Sequence, residues 1–300
     1  MKGPDTKRRT HWFTGQPLWL RLWVLSSLLS AAACSEAPFT QRQQLIFTSE
    51  EQEIALGEDI YQKTLEQLTL SPDKDANRLV STVGWRIAQA TGKTNYAWEF
   101  IVIDDPEVRN AWVLSGGKVG VYTGLFPIAQ DETGLAIILA HEAAHALARH
   151  HGEKASRDVL VEVGGLGVTY GPDLLRRTFD LGTNLGVILP FGRTQEAEAD
   201  YIGLILAAKA GYDPRAAIEV WMRLQHAQEQ EGHSGPPEFL ATHPNYETRL
   251  LNIRQRLPEA LQYYESSTMH APEQLPSLDA LERPLDDSQE QPREINQGDS

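Results

Sequence analysis

His141-Glu142-Ala143-Ala144-His145 is the stretch whose residue types and spacing point most directly to chemistry. On a helix, residues four apart are offset by only about 40° and about 6 Å, so both imidazoles face one way and can grip one ion. Glu142 sits beside them and can reach a water carried by that ion. Two histidines and a glutamate on an apolar helix are costly to bury unless something such as a metal satisfies them. The pattern predicts one Zn2+ per chain and hydrolysis by Glu-assisted attack of water.

A catalytic zinc needs a third protein ligand and an open position. His151 follows His145 by six residues, but position 148, where a turn would need glycine, is Ala148. In a continuing helix His151 lies about 9 Å further along and about 120° away, so its expected role is charge stabilisation at the helix end. Glu196, in Gln195-Glu196-Ala197-Glu198-Ala199-Asp200, is the stronger third ligand. Asp200 shares its helix face and would orient a ligand histidine. Glu198, two residues on, is expected to face elsewhere. An acidic surface helix would carry the same letters, and this segment alone leaves both readings open.

Elements must position these groups. Apolar residues at helical spacing predict helices over 49–70 and 75–90. Trp98 to Ile103 reads as a strand stopped by Asp104-Asp105-Pro106. Residues 110–125 read as two short strands joined at Gly116-Gly117. The strongest helix spans 132–150, opened by Asp131 and Glu132 and closed by Arg149, His150, His151 and Gly152. It is apolar nearly all round and should be buried mid-domain. Further helices are expected at 194–210, 214–228 and 246–256. Residues 157–191 are Gly- and Leu-rich and fit either a helical hairpin or a flap. Their Gly164-Gly165-Leu166-Gly167 lacks the strand–turn–helix setting of a nucleotide loop.

The 300 residues are 41% hydrophobic and 23% charged, which excludes a wholly disordered chain and a polytopic membrane protein. A net charge of −14, from 27 basic and 41 acidic residues, argues against a nucleic-acid partner. A single cysteine excludes an intrachain disulfide and a Cys-based zinc site. The N-terminus carries Lys2, Lys7, Arg8, Arg9 and Arg21 before an apolar run of about a dozen residues, too short for a membrane span of ~20. Small residues Ala31-Ala32-Ala33 then precede Cys34, so residues 1–33 read as an export signal. They resemble a bacterial lipoprotein signal, with Cys34 as the lipidated first residue, and Ser35 in place of Asp favours the outer membrane. Their removal takes away five positive charges and one negative, leaving about −18. From 267 to 300 the chain is Pro-, Glu- and Asp-rich and reads as an acidic disordered tail. Residues 34–48 read as a linker and 49–266 as the catalytic domain.

HExxH followed about fifty residues later by Glu-x-x-Ala-Asp resembles the HtpX- and BepA-type gluzincins of peptidase family M48. The CAAX prenyl endopeptidase and mitochondrial quality-control proteases belong to the same group. The resemblance covers roughly residues 45–256. It takes in Asn110-Ala111-Trp112 with Gly116-Gly117, Arg149-His150, Gly211-Tyr212-Asp213-Pro214, Thr242-His243-Pro244 and Arg249. Without multiple spanning helices or a helical-repeat domain, the chain is most similar to the compact periplasmic lipoprotein members. The resemblance implies an α+β fold: a mainly helical zincin-like domain with a small antiparallel sheet whose edge strand lies by the active-site helix. It assigns His141, His145 and Glu196 to zinc, Glu142 to catalysis and Asp200 to their support. His243 matches a histidine that caps the zinc in some relatives, and Arg249 an arginine close to the site. Both are also candidates for stabilising the oxyanion, and His243 has the plainer reading of a turn histidine before proline.

The expected function is zinc-dependent endopeptidase action on unfolded or misassembled cell-envelope proteins, in periplasmic quality control, from a lipid anchor on Cys34. An extended substrate would add to a sheet edge along Lys118, Val119, Gly120, Val121, Tyr122 and Thr123. The alternatives are a latent protease-fold protein that binds envelope proteins as a chaperone does, and a zinc enzyme for a non-peptide substrate.

Overall fold

The computed structural model describes residues 34–164, 191–231, 239, 243 and 246–269. The export segment 1–33, residues 165–190 of the Gly- and Leu-rich stretch and the tail from 270 lie outside the described residues. The stretch read as a linker holds a hairpin, in which β1 (Cys34–Glu36) pairs antiparallel with β2 (Gln43–Leu45).

Helix α1 (Glu50–Leu65) starts where Ser49 and Gln52 each hydrogen-bond the other's backbone N–H. Helix α2 (Lys74–Thr91) is capped by Asp73 and stopped by Gly92 at φ 68°. Three strands follow: β3 (Glu99–Ile103), β4 (Ala111–Leu114) and β5 (Lys118–Tyr122). Gly116 and Gly117, at φ 92° and 87°, turn β4 into β5. The close approach of α1 to this turn requires Gly57, where a Cβ would lie 2.1 Å from the Ser115 carbonyl oxygen.

The sheet corrects the expected topology. Its order is β3-β5-β4, with β3 parallel and β4 antiparallel to β5, so the sheet is mixed. The segment after Asp104-Asp105-Pro106 carries β4 to the far side of β5, and hairpin pairing alone does not reveal that β3 takes the other side. Lys118–Tyr122 is therefore the central strand, paired on both sides, and is not a substrate-binding edge. The strand packed on the HExxH helix at the sheet's outer position is β4.

After the short helix α3 (Phe126–Ala129) comes α4 (Glu132–Leu147), which carries the HExxH residues. Asp131 caps it, its side chain accepting from the Gly134 N–H at 2.7 Å. Every residue from Gly134 to Leu147 is buried, as an all-round apolar helix must be. Helix α6 (Arg193–Lys209) packs along α4, and α8 (Tyr246–Ser266) covers α6. Helix α7 (Ala216–Glu231) adds Val220, Trp221 and Leu224 to the same core. Among the described residues no helix is long and apolar enough to cross a membrane.

Helix α4 stops earlier than its composition suggests. Arg149 adopts a left-handed φ of 54°, and a new helix, α5 (His150–Gly164), starts at once. That conformation costs a non-glycine residue about 1–2 kcal/mol. It is held by the Arg149 guanidinium, which donates to buried Glu53 at 2.6 Å and to the Thr48 carbonyl at 2.7 Å. The chain thus turns without the glycine that the sequence reading required.

Candidate metal centre

His141 and His145 project from one side of α4 with ring centroids 4.8 Å apart and their Nε2 atoms 3.2 Å apart. Glu196, in the first turn of α6, brings Oε1 to 3.5 Å from His145 Nε2 and Oε2 to 3.7 Å from His141 Nε2. The two helices come this close because residue 203 is glycine: a Cβ there would lie 3.0 Å from His141 Cα.

His243 joins the cluster from the chain segment before α8. Its Nδ1 lies 3.0 Å from Glu196 Oε1 and 3.3 Å from His141 Nε2, and its Nε2 lies 3.2 Å from Glu142 Oε1. Apart from that contact, Glu142 Oε1 is buried without a partner among the described residues. One donor atom from each of His141, His145, Glu196 and His243 fits within a 4.8 Å span, and all four residues are buried. Phe191 walls one side, stacked on His145 at 4.1 Å between centroids.

The donor set fits a zinc ion. Burial, the largest influence, lowers the pKa of both His141 and His145, so each imidazole is held in the neutral form that ligates. Burial also opposes charge on Glu196, but the positive charges of His243 and Arg249 outweigh it and keep the carboxylate ionised. Nitrogen lone pairs and a carboxylate that converge out of contact with water call for a positive charge among them. His243 lies against two carboxylates, those of Glu196 and Glu142. Burial works against its protonation, but Glu196 and Glu142 lift its pKa to about 9.

Behind the donors stand two supports. Asp200 Oδ1 lies 3.1 Å from His141 Nδ1. Burial would raise the Asp200 pKa, yet Arg249 and His141 hold it down at about 2. Arg249 reaches Asp200 twice and Glu196 once, and lies 3.5 Å above the Trp221 ring. The second support was not visible in the sequence reading: His150 Nδ1 lies 2.9 Å from His145 Nδ1, and His150 Nε2 lies 3.0 Å from Glu198 Oε2. The signal that could have exposed it is the Arg149-His150 pair, if a turn at Arg149 had been allowed for.

The sequence-chosen residues His141, Glu142, His145, Glu196, Asp200, His243 and Arg249 thus meet in one place. His151 does not join the donor cluster, and its ring meets Phe191 edge-on at 5.1 Å. Lys118 pairs with Glu58 and Glu99 and covers Tyr61, while Thr123 Oγ1 accepts from the Asp105 N–H. A cavity of about 270 Å³ beside α6 is lined by Arg42, Glu198, Tyr201 and Arg256 among others, but not by His141, His145 or Glu196.

Comparison with known proteins agrees with this geometry. The family model described as Peptidase family M48 matches residues 74–257. The mitochondrial metalloendopeptidase OMA1 of Schizosaccharomyces pombe is 35% identical over 254 residues, covering 82% of this chain and 74% of that protein. Its Saccharomyces cerevisiae counterpart is 32% identical over 256 residues, 80% of this chain and 74% of that protein. A beta-barrel assembly-enhancing protease of Yersinia pestis is 29% identical over 216 residues, 69% of this chain and 44% of that protein. The family-matched span contains the four clustered donors together with Glu142, Asp200 and Arg249. On these grounds the chain belongs to peptidase family M48 and is a zinc metalloendopeptidase.

Proposed function

We propose that His141, His145 and Glu196 hold the zinc and that Glu142 is the general base and acid of peptide hydrolysis. The observation that carries this reading is Glu142 Oε1 beside the donor cluster, buried and, among the described residues, lacking a partner other than His243. When bound, the metal supplies Lewis-acid polarisation of the scissile carbonyl and acidifies water. Glu142 takes the proton of the attacking water and delivers it to the leaving amine. Buried Arg249 holds Glu196 and Asp200 in place and keeps their charge compensated. An extended substrate runs against β4, the outer strand packed on α4, and adds main-chain hydrogen bonds there.

We further propose that the substrates are unfolded or misassembled envelope proteins. Backbone-reading strand addition suits chains without fixed tertiary structure. The name of the Yersinia pestis relative, a beta-barrel assembly-enhancing protease, supports an envelope role. The OMA1 relatives are mitochondrial, and it is the export-like residues 1–33 with Cys34 that favour a periplasmic, lipid-anchored protein at the outer membrane. In this reading residues 49–266 are the catalytic unit and 267–300 an acidic tail.

A second reading rests on His243. It sits between Glu196 and Glu142 as a fourth donor, and Phe239, one turn before it, donates its N–H to the Arg109 carbonyl just ahead of β4. The centre is then closed, and a closed protein could bind unfolded chains without cutting them. Incubation with casein and with an unfolded outer-membrane β-barrel protein, with and without a chelator, separates the two. Chelator-sensitive cleavage that Glu142→Gln abolishes is the expected result. Binding without cleavage by the wild type, or full activity of Glu142→Gln, contradicts the proposal.

A further inference from the structure

We propose that His150 and Glu198 form a positioning relay behind the ligand His145, and that the amino-terminal hairpin completes it through Arg42. This inference rests on the reading of His145 as a zinc ligand.

Proton counting fixes the relay. His145 faces the donor cluster with Nε2. If Nε2 ligates, the ring proton sits on Nδ1, which must find an acceptor. The atom facing it at 2.9 Å is His150 Nδ1, so that nitrogen accepts and the His150 proton sits on Nε2. His150 Nε2 in turn faces Glu198 Oε2 at 3.0 Å, and a carboxylate can only accept. Each proton has one donor and one acceptor along Glu198, His150 and His145, so both tautomers are locked. Both imidazoles are fully buried, so no water competes for these bonds.

The hairpin holds the far end. Arg42, in the loop between β1 and β2, donates to Glu198 Oε2 through Nε at 2.9 Å and Nη2 at 2.6 Å. It also grips Glu153 of α5 at 2.6 and 2.8 Å. Thr40 from the same loop donates to the other Glu198 oxygen. Gln44 of β2 donates to the carbonyl of Ala148 at 2.8 Å, directly behind the last turn of α4. The hairpin therefore buttresses the metal centre. Glu198 does face away from Glu196, as its two-residue offset requires, but it meets the back of the next ligand through His150.

Supports of this kind are typically worth 10–100-fold in metal affinity. The test is zinc affinity of the full chain, read by competition with a chromogenic chelator, alongside thermal unfolding of each metal-free variant. His150→Phe should weaken zinc binding by about 10–100-fold. Glu198→Gln and Arg42→Met should weaken it in the same direction by about tenfold. His150→Gln should restore affinity to within about threefold of wild type, because its amide can accept from His145 and donate to Glu198 at once. Arg42→Met acts from outside the helical core and keeps the test open if His150→Phe does not fold. Wild-type zinc affinity in folded Arg42→Met and Glu198→Gln overturns the relay alone. So does a metal-free stability loss without any change in zinc affinity. A wild type that binds no zinc overturns the metal-centre reading and this inference with it.

Discussion

Arg249 clamps Asp200 with two bonds, Nε to Oδ2 at 2.8 Å and Nη2 to Oδ1 at 2.6 Å. Both side chains are buried, and Asp200 passes the constraint to His141 Nδ1 at 3.1 Å. Removing one partner of a buried ion pair leaves the other charge without compensation, at about 3–5 kcal/mol. Arg249→Met should therefore cost about that much in chemical denaturation. Arg249→Lys keeps the charge but not the fork, and should cost about 2 kcal/mol. Wild-type stability of Arg249→Lys would show that the paired geometry contributes nothing, and equal losses for the two variants would show that the charge alone contributes nothing.

Gly203 sets the spacing between α4 and α6. A Cβ there would meet His141 Cα at 3.0 Å and His141 N at 3.1 Å, both backbone atoms that cannot swing aside. Gly203→Ala should destabilise the protein by about 1–3 kcal/mol. It should also weaken zinc binding, because Glu196 and Asp200 ride on the displaced helix. Unchanged melting and unchanged zinc affinity would contradict this role.

Glu153 predicts a pH-dependent contribution from the hairpin contact. Burial pushes its pKa up, but hydrogen bonds from Arg42, Gln195 and Gln44 outweigh that and leave it below the ordinary carboxylate value. A folded-state pKa below the unfolded one stabilises fully above the unfolded value, about 4.3, and the gain is lost as pH falls through the folded value. Glu153→Gln should therefore melt below wild type at pH 7, and the gap should shrink as the pH drops below about 4. A gap of constant size across that range would contradict the assignment.

His243 lies between Glu196 and Glu142, and in the proposed mechanism it would have to leave for a substrate carbonyl and its attacking water to reach Glu142. His243→Ala should raise the rate of casein cleavage several-fold while zinc remains bound by the other three donors. A fall in rate would mean instead that His243 stabilises charge in the reaction.

Much of the site was legible before folding, for a geometric reason. Helical spacing alone puts His141 with His145, and Glu196 with Asp200, on common faces. What escaped lies where that arithmetic stops applying. Spacing along a continuing helix cannot place His150, because Arg149 breaks the helix in a left-handed turn held by Glu53 and the Thr48 carbonyl, both about a hundred residues away in the chain. The rank of β5 within the sheet escaped too. Two strands joined at Gly116-Gly117 announce a pair, and nothing in their pattern tells that β3 will pair in parallel on the other side. The hairpin at 34–45 is short and polar, and its importance comes from what Arg42 touches more than a hundred residues later.

The central claim is that Glu196 joins His141 and His145 as a zinc ligand, and metal content measured on purified protein tests it most directly. After dialysis against a weak chelator, wild type and Glu142→Gln should each retain one zinc per chain, and Glu196→Ala should retain none. Full zinc occupancy with unchanged affinity in Glu196→Ala would contradict the account.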